Sequence, residues 1–175
     1  ADPATAVKKH VLADAGKLCL GLDSGNSALR CGDWQSVHIL AFGKAACAMA
    51  EAARQSIPAQ RLALPGLIVT TDENARPLEG FEVMAAGHPL PDHKGLEAGE
   101  RVVSRVRQAG NQDLILALIS GGGSALLPCP VAGISLADKV ATTRLLLNSG
   151  ASIHQVNCVR KHLSRLKGGG LTRLS

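Results

Sequence analysis

Two short segments of this chain combine residue types that hold phosphate. Ser120-Gly121-Gly122-Gly123-Ser124 follows six apolar residues, 114–119, without interruption. Three adjacent glycines let a backbone turn sharply and leave N–H groups uncovered. The flanking hydroxyls add donors. At the C-terminal end of a strand such a loop is a cradle for an anion. The second segment is Gly43-Lys44, set between the apolar run 37–42 and an Ala-rich stretch. A lysine at the start of a helix opposes the macrodipole, which favours an anion there. A bound phosphate or carboxylate resolves that conflict. The plain alternatives are a strand-to-helix turn without a ligand and a solvent-facing lysine.

A third set lies toward the C-terminus. Val156, Val159, Leu163 and Leu166 share helical spacing and form one apolar face. Asn157, Arg160, Ser164 and Lys167 repeat that spacing one residue on, with Lys161 beside them. The plain reading is a solvated basic face, yet a stripe without an acid repels itself unless something anionic binds. Arg grips a carboxylate or phosphate with two hydrogen bonds, whereas Lys acts as a point charge. His162 has the chemistry of a general base; a structural role is the commoner use of such a residue. The glycine loop is not a Walker A motif, since no G-x-x-x-x-G-K-[ST] occurs in the chain. Nor is it a dinucleotide fingerprint, because Gly121-Gly-Gly-Ser-Ala-Leu126 ends in Leu where that pattern wants Gly or Ala.

Alternating strands and helices must position these segments. Hydrophobic and turn patterns predict a helix over residues 5–13 and turn material over 21–26. Strands are predicted over 37–42, 67–71, 82–86 and 113–119. Helices are predicted over 45–55, 96–108, 136–147 and 152–167, the last closed by Gly168-Gly-Gly170. Gly87-His-Pro-Leu-Pro-Asp92 reads as a rigid loop. The expected fold is α/β: a Rossmann-like, mostly parallel sheet with helices on both faces, truncated at its C-terminus. Ligands in such sheets bind at the C-terminal strand ends near a topological switch point. Gly43-Lys44 and the glycine loop both fall at such ends.

Composition narrows the field. The chain has 175 residues, of which 46% are hydrophobic, enough for a packed core and too many for a disordered segment. Its aromatic residues are Trp34, Phe42 and Phe81, so the core must be aliphatic and base stacking on a nucleic acid has little to work with. The net charge of +5 is local: residues 151–175 hold Arg160, Lys161, Arg165, Lys167 and Arg173 and no acid, while the first 150 residues balance. That asymmetry points to an anion site or an acidic partner surface, not to a generally basic protein. No apolar run approaches the ~20 residues of a membrane span. The N-terminus shows neither an initiating Met nor a signal peptide. The five cysteines are scattered without a C-x-x-C pair, which predicts free or buried thiols in a reducing compartment. His88, Asp92 and His93 lack a recognised ligand spacing, so no metal ligand is assigned.

Taken in order, Gly43-Lys-Ala-Ala46, Gly87-His-Pro-Leu-Pro-Asp92, Ile119-Ser-Gly-Gly-Gly-Ser-Ala-Leu-Leu127, Gly150-Ala-Ser-Ile153 and Asn157-Cys-Val-Arg-Lys-His-Leu-Ser-Arg-Leu-Lys-Gly-Gly-Gly170 resemble the glycerate 2-kinase family over residues 37–171. The resemblance implies transfer of the γ-phosphoryl group of ATP, with Mg²⁺, to D-glycerate to give 2-phosphoglycerate. Some members carry the name hydroxypyruvate reductase. It also implies that residues 1–175 form an incomplete N-terminal (MOFRL-associated) domain, with the C-terminal MOFRL domain absent. On this reading Lys44 and Arg160 are the expected catalytic cations. Ser120, Gly121, Gly122, Gly123 and Ser124 are expected to bind phosphate or nucleotide, and Asn157, Lys161, Ser164 and Lys167 the substrate. The resemblance does not assign which residue meets which ligand, and no acidic Mg²⁺ cluster is visible. The expected location is the cytoplasm, with an organelle left open. No membrane or nucleic-acid partner is expected, and the oligomeric state is open. The rival expectations are a non-catalytic truncated form that binds nucleotide or a partner, and a hydroxypyruvate reductase.

Overall fold

The computed structural model describes residues 2–14, 17–21 and 29–175. The turn material read at 21–26 lies almost wholly outside them. The chain opens with α1 (Pro3–His10), capped by Asp2, whose carboxylate accepts from the Thr5 N–H. There the expected helix over 5–13 is corrected: it stops at His10, and β1 (Val11–Asp14) follows. β1, β2 (Lys17–Gly21) and β3 (Leu29–Gly32) form a three-stranded antiparallel meander. Its strands are four or five residues long, too short for the period-2 pattern to stand out.

The main sheet is parallel and contains β4 (Ser36–Phe42), β5 (Gly66–Thr70), β6 (Phe81–Ala85) and β7 (Asp113–Ile119). Its order is β6-β5-β4-β7. Chain order therefore runs outward from β4 in one direction, then returns to the other side of β4 for β7. Between β4 and β5 lies α2 (Ala46–Ser56), and between β6 and β7 lies α3 (His93–Gln108). α4 (Gly123–Leu126), α5 (Leu136–Asn148), α6 (Ile153–His162) and α7 (Gly170–Leu174) complete the fold.

β4 alternates its contacts between two cores, as a central strand covered on both faces must. Val37, Ile39 and Ala41 pack with Ala46, Ala50 and Ala53 of α2. Leu40 and Phe42 pack with Ala98, Val102 and Val106 of α3. The Ala-rich face of α2 brings that helix close to the sheet with little side-chain entropy to lose. Asp92 caps α3 by accepting from Gly95 N at 2.8 Å, so this helix starts three residues before the expected position.

Two further expectations are corrected. The helix expected over 152–167 ends at His162. Beyond it the chain runs back along the segment after α4: Arg165 N donates to Cys129 O at 3.0 Å, Val131 N to Leu163 O at 3.4 Å, and Ser164 bridges Pro130. Those pairings take backbone groups that a longer helix would have used. The cysteines are not all free either. Cys19 and Cys31 stand opposite each other across β2 and β3, with Cα atoms 4.1 Å apart, and form a disulfide. Cys47 and Cys129 are buried thiols and Cys158 is exposed. Strand register made that pair, and a separation of 12 residues does not display it in the sequence.

Candidate functional site

Because β4 and β7 are neighbours whose following helices lead away from each other, the sheet has its switch point at their C-terminal ends. Gly43-Lys44 leaves β4 there, and Ser120–Ser124 leaves β7. The two exits are clasped together. Ser120 N donates to Phe42 O at 2.9 Å and Lys44 N to Gly121 O at 2.8 Å. The Ser120 hydroxyl oxygen accepts from Ala45 N at 3.0 Å, taking one of the unsatisfied donors at the start of α2. Gly43 has φ +120°, and a Cβ there would lie 2.6 Å from the Ser120 carbonyl oxygen. Only glycine allows both that backbone and that approach.

The loop itself stays open. Gly122 turns with φ +90° into α4. The N–H groups of Gly121, Gly122 and Gly123 make no hydrogen bond among the described residues. A Cβ on Gly121 would meet nothing within 4 Å. Lys44 is exposed, and its Cγ would lie 3.5 Å from a Cβ on Gly122; the His88 Nε2 would lie 3.3 Å from the same point. The His88 imidazole and the aliphatic stem of Lys44 thus both approach the loop at Gly122. Of the five loop residues expected to bind phosphate, Ser120 is spent as a clasp, apart from its hydroxyl proton. Gly121, Gly122, Gly123 and the exposed Ser124 remain available.

The C-terminal candidates divide. Arg160 of α6 reaches the loop: its Nη2 donates to Ser124 O at 3.4 Å, and burial lowers its pKa. Lys167 lies just past it, with Nζ donating to Leu127 O at the end of α4 at 3.0 Å. Burial, followed by repulsion from Lys139 and Arg160, pulls the Lys167 pKa down to about 8. Asn157 and Lys161 are exposed on α6. Ser164 is buried beyond the helix end, and its hydroxyl accepts from Leu166 N at 3.3 Å in a local turn. The single polar stripe read in the sequence therefore does not exist as one helix face.

Two residues near the site were not among the candidates. His88 was read only as a poor metal ligand. Lys139 of α5 is buried and donates to Pro128 O, with its pKa lowered to about 8, first by burial. A lysine on the helix 136–148 carries no sequence signal of burial. Among the described residues no group of three or more His, Cys, Asp or Glu side chains could hold a metal ion. No helix there is long and apolar enough to cross a membrane.

The family described as "Domain of unknown function (DUF4147)" matches residues 1–175. A glycerate 2-kinase of Pyrococcus horikoshii is 44% identical over 138 residues, 79% of this chain and 30% of the relative. A putative hydroxypyruvate reductase of Agrobacterium vitis is 45% identical over 137 residues, 78% of this chain and 35% of the relative. A crystal structure of a Pyrococcus horikoshii protein superposes with a TM-score of 0.85 at 38% identity, covering 99% of this chain and 38% of that one. The chain spans about a third of the length of the curated relatives it matches.

Proposed function

The chain belongs to the DUF4147 family, among whose named relatives are glycerate 2-kinases, and from that premise we propose that it forms the phosphate-holding part of a kinase that phosphorylates D-glycerate. The observation that carries this reading is the convergence at the switch point. A loop with three unspent backbone N–H groups lies against Lys44, with Arg160 bonded to Ser124 O at its end and Lys167 bonded to Leu127 O just beyond it.

Phosphoryl transfer needs in-line positioning and neutralisation of charge on the moving group. The N–H groups of Gly121, Gly122 and Gly123 hold phosphate oxygens of the donor, for which ATP is proposed. Lys44, exposed on the open side of the loop, neutralises charge on the transferred group. Arg160 acts as the second catalytic cation. Asn157 and Lys161, exposed on α6, contact the hydroxy acid. Ser164 has no part in this, since its hydroxyl is buried in a turn. The described residues do not fit a Mg²⁺ site of their own, and no step is derived through that ion. The proposed location is the cytoplasm.

The test is ADP release with ATP, Mg²⁺ and D-glycerate, beside L-glycerate and no-acceptor controls, on this chain and on a longer chain that contains it. D-glycerate-dependent release from either supports the reading. No release from both, with the proteins shown to be folded, overturns it. The name hydroxypyruvate reductase among the relatives supplies a rival. Oxidation of a reduced nicotinamide by hydroxypyruvate would favour that rival.

A further inference from the structure

Lys139 is the only buried charged residue among the described residues. It does not sit alone. Its Nζ donates to Pro128 O, the Nζ of Lys167 to Leu127 O at 3.0 Å, and Nη2 of Arg160 to Ser124 O at 3.4 Å. Three cations from α5, α6 and the segment before α7 thus converge on the carbonyls of residues 124–128. None makes an ion pair among the described residues. Glu100, which lies nearby, is taken by Arg165 at 2.5 Å.

Burying a charge without a counter-ion is among the costliest arrangements a fold can hold. Lys139 and Lys167 repel Arg160, and Lys167 also repels Lys139. Capping the end of α4 explains one cation, because the carbonyl end of a helix favours positive charge. It does not explain three that repel one another. Each ammonium spends one donor on its carbonyl and keeps two, and the guanidinium keeps more. Lys167 also borders a mainly apolar cavity of about 230 Å³ that touches Gly123 and Ser124 of the glycine loop but neither Lys139 nor Arg160, so the three cations meet at the carbonyls of residues 124–128 and not in that cavity.

We propose that Lys139, Arg160 and Lys167 form one anion site beside the glycine loop, and that its ligand is a phosphoryl group, not the carboxylate of the hydroxy acid. The identity of this ligand rests on the phosphotransfer reading above. A carboxylate brings a single negative charge to three cations. A phosphate ester brings about −1.5 to −2 at pH 7 and three acceptor oxygens. The charge and the donor count both match the phosphoryl group.

Binding of a dianion favours the charged lysines, so the site takes up protons as it fills on the alkaline side. Lys139 and Lys167 face each other, Arg160 of α6 and the Cys129 thiol, with the Arg165–Glu100 pair beyond that thiol. Inorganic sulfate is the probe of choice, because it stays dianionic throughout the range. Calorimetric titration of the purified protein with sulfate is expected to show saturable binding at pH 7. Affinity should weaken about tenfold or more by pH 9, with proton uptake seen as buffer-dependent heat. Lys139→Met should lose the binding. Lys139→Arg should keep it and flatten the pH dependence, which a merely structural lysine would not do. Circular dichroism melting checks that both variants fold. Absence of saturable sulfate binding, or equal affinity in the folded Lys139→Met protein, overturns the proposal. D-glycerate-dependent turnover, measured on this chain and on the longer chain that contains it, separates the two readings. Turnover without sulfate binding sinks this site alone, and sulfate binding without turnover in either chain sinks the kinase assignment alone.

Discussion

Replacing Gly43 with Ala tests whether the two strand exits are held together as described. At φ +120° an alanine sits in backbone territory that L-residues rarely occupy, at a cost of about 1–3 kcal/mol. Its Cβ would stand 2.6 Å from the Ser120 carbonyl oxygen and closer still to the Ser120 hydroxyl oxygen. Ser120 must therefore move. That movement strains Ser120 N to Phe42 O, at 2.9 Å, and Ala45 N to the Ser120 hydroxyl, at 3.0 Å. Each is worth about 0.5–1.5 kcal/mol. The total is about 2–6 kcal/mol, a large share of the roughly 5–15 kcal/mol that holds a domain together.

Gly121→Ala is the matched control, because a Cβ there meets nothing within 4 Å and its φ lies outside the positive region. Urea unfolding followed by circular dichroism reads both. With a slope of about 2 kcal/mol per molar, Gly43→Ala should lower the midpoint by roughly 1–3 M. Gly121→Ala should move it little. Equal stability of Gly43→Ala and the parent protein would refute the clasp, and so would equal losses in the two variants.

Lys44→Ala should cut D-glycerate-dependent turnover by on the order of a hundredfold while leaving the urea midpoint in place, since the side chain is exposed; a small change in turnover removes Lys44 from the mechanism. Free-thiol titration should find one fast-reacting thiol in the native protein, Cys158, and three after unfolding without reductant, whereas five would mean that Cys19 and Cys31 are not joined. Lys139 and Lys167 are lowered to about 8 from 10.5, so above pH 8 the unfolded chain holds more protons and stability should rise by about 1–2 kcal/mol between pH 8 and 9. Burial raises the Cys129 thiol and opposes that gain above pH 9, so a thermal-unfolding midpoint that falls steadily from pH 8 would contradict the buried-lysine reading.

The four parallel strands were legible because each is a short, mainly apolar run ending in a turn signal. Residues 113–119 were assigned without error for that reason. The meander was not legible. Its strands carry Lys17, Arg30 and Asp14 among few apolar residues, and pairing rather than pattern makes them strands. The end of α6 was also missed, because Leu163 and Leu166 keep helical spacing after the helix has stopped. Both are still covered by the fold, so their apolar character reports burial and not helix. Gly43, Lys44 and the glycine loop could be placed at the C-terminal ends of β4 and β7 because strand ends and glycines are local signals. Lys139 could not, since its burial depends on the chain folding back from α6 along residues 128–131.

That fold-back accounts for how the site is divided. A parallel sheet supplies neutral donors at its switch point: backbone N–H groups at the end of β7, opened by glycine and braced by Ser120. It supplies little charge, because strand ends are short and their flanks are buried. Apart from Lys44 at the end of β4, the cations come from later in the chain. Arg160 ends up beside Ser124 because α6 stops at His162 and Ser164 pairs with Pro130. A helix continuing to residue 167 would have kept Lys167 on the α6 axis, away from Leu127 O. The break in α6, which defeated the sequence pattern, is what delivers Lys167 to the end of α4, just past the loop.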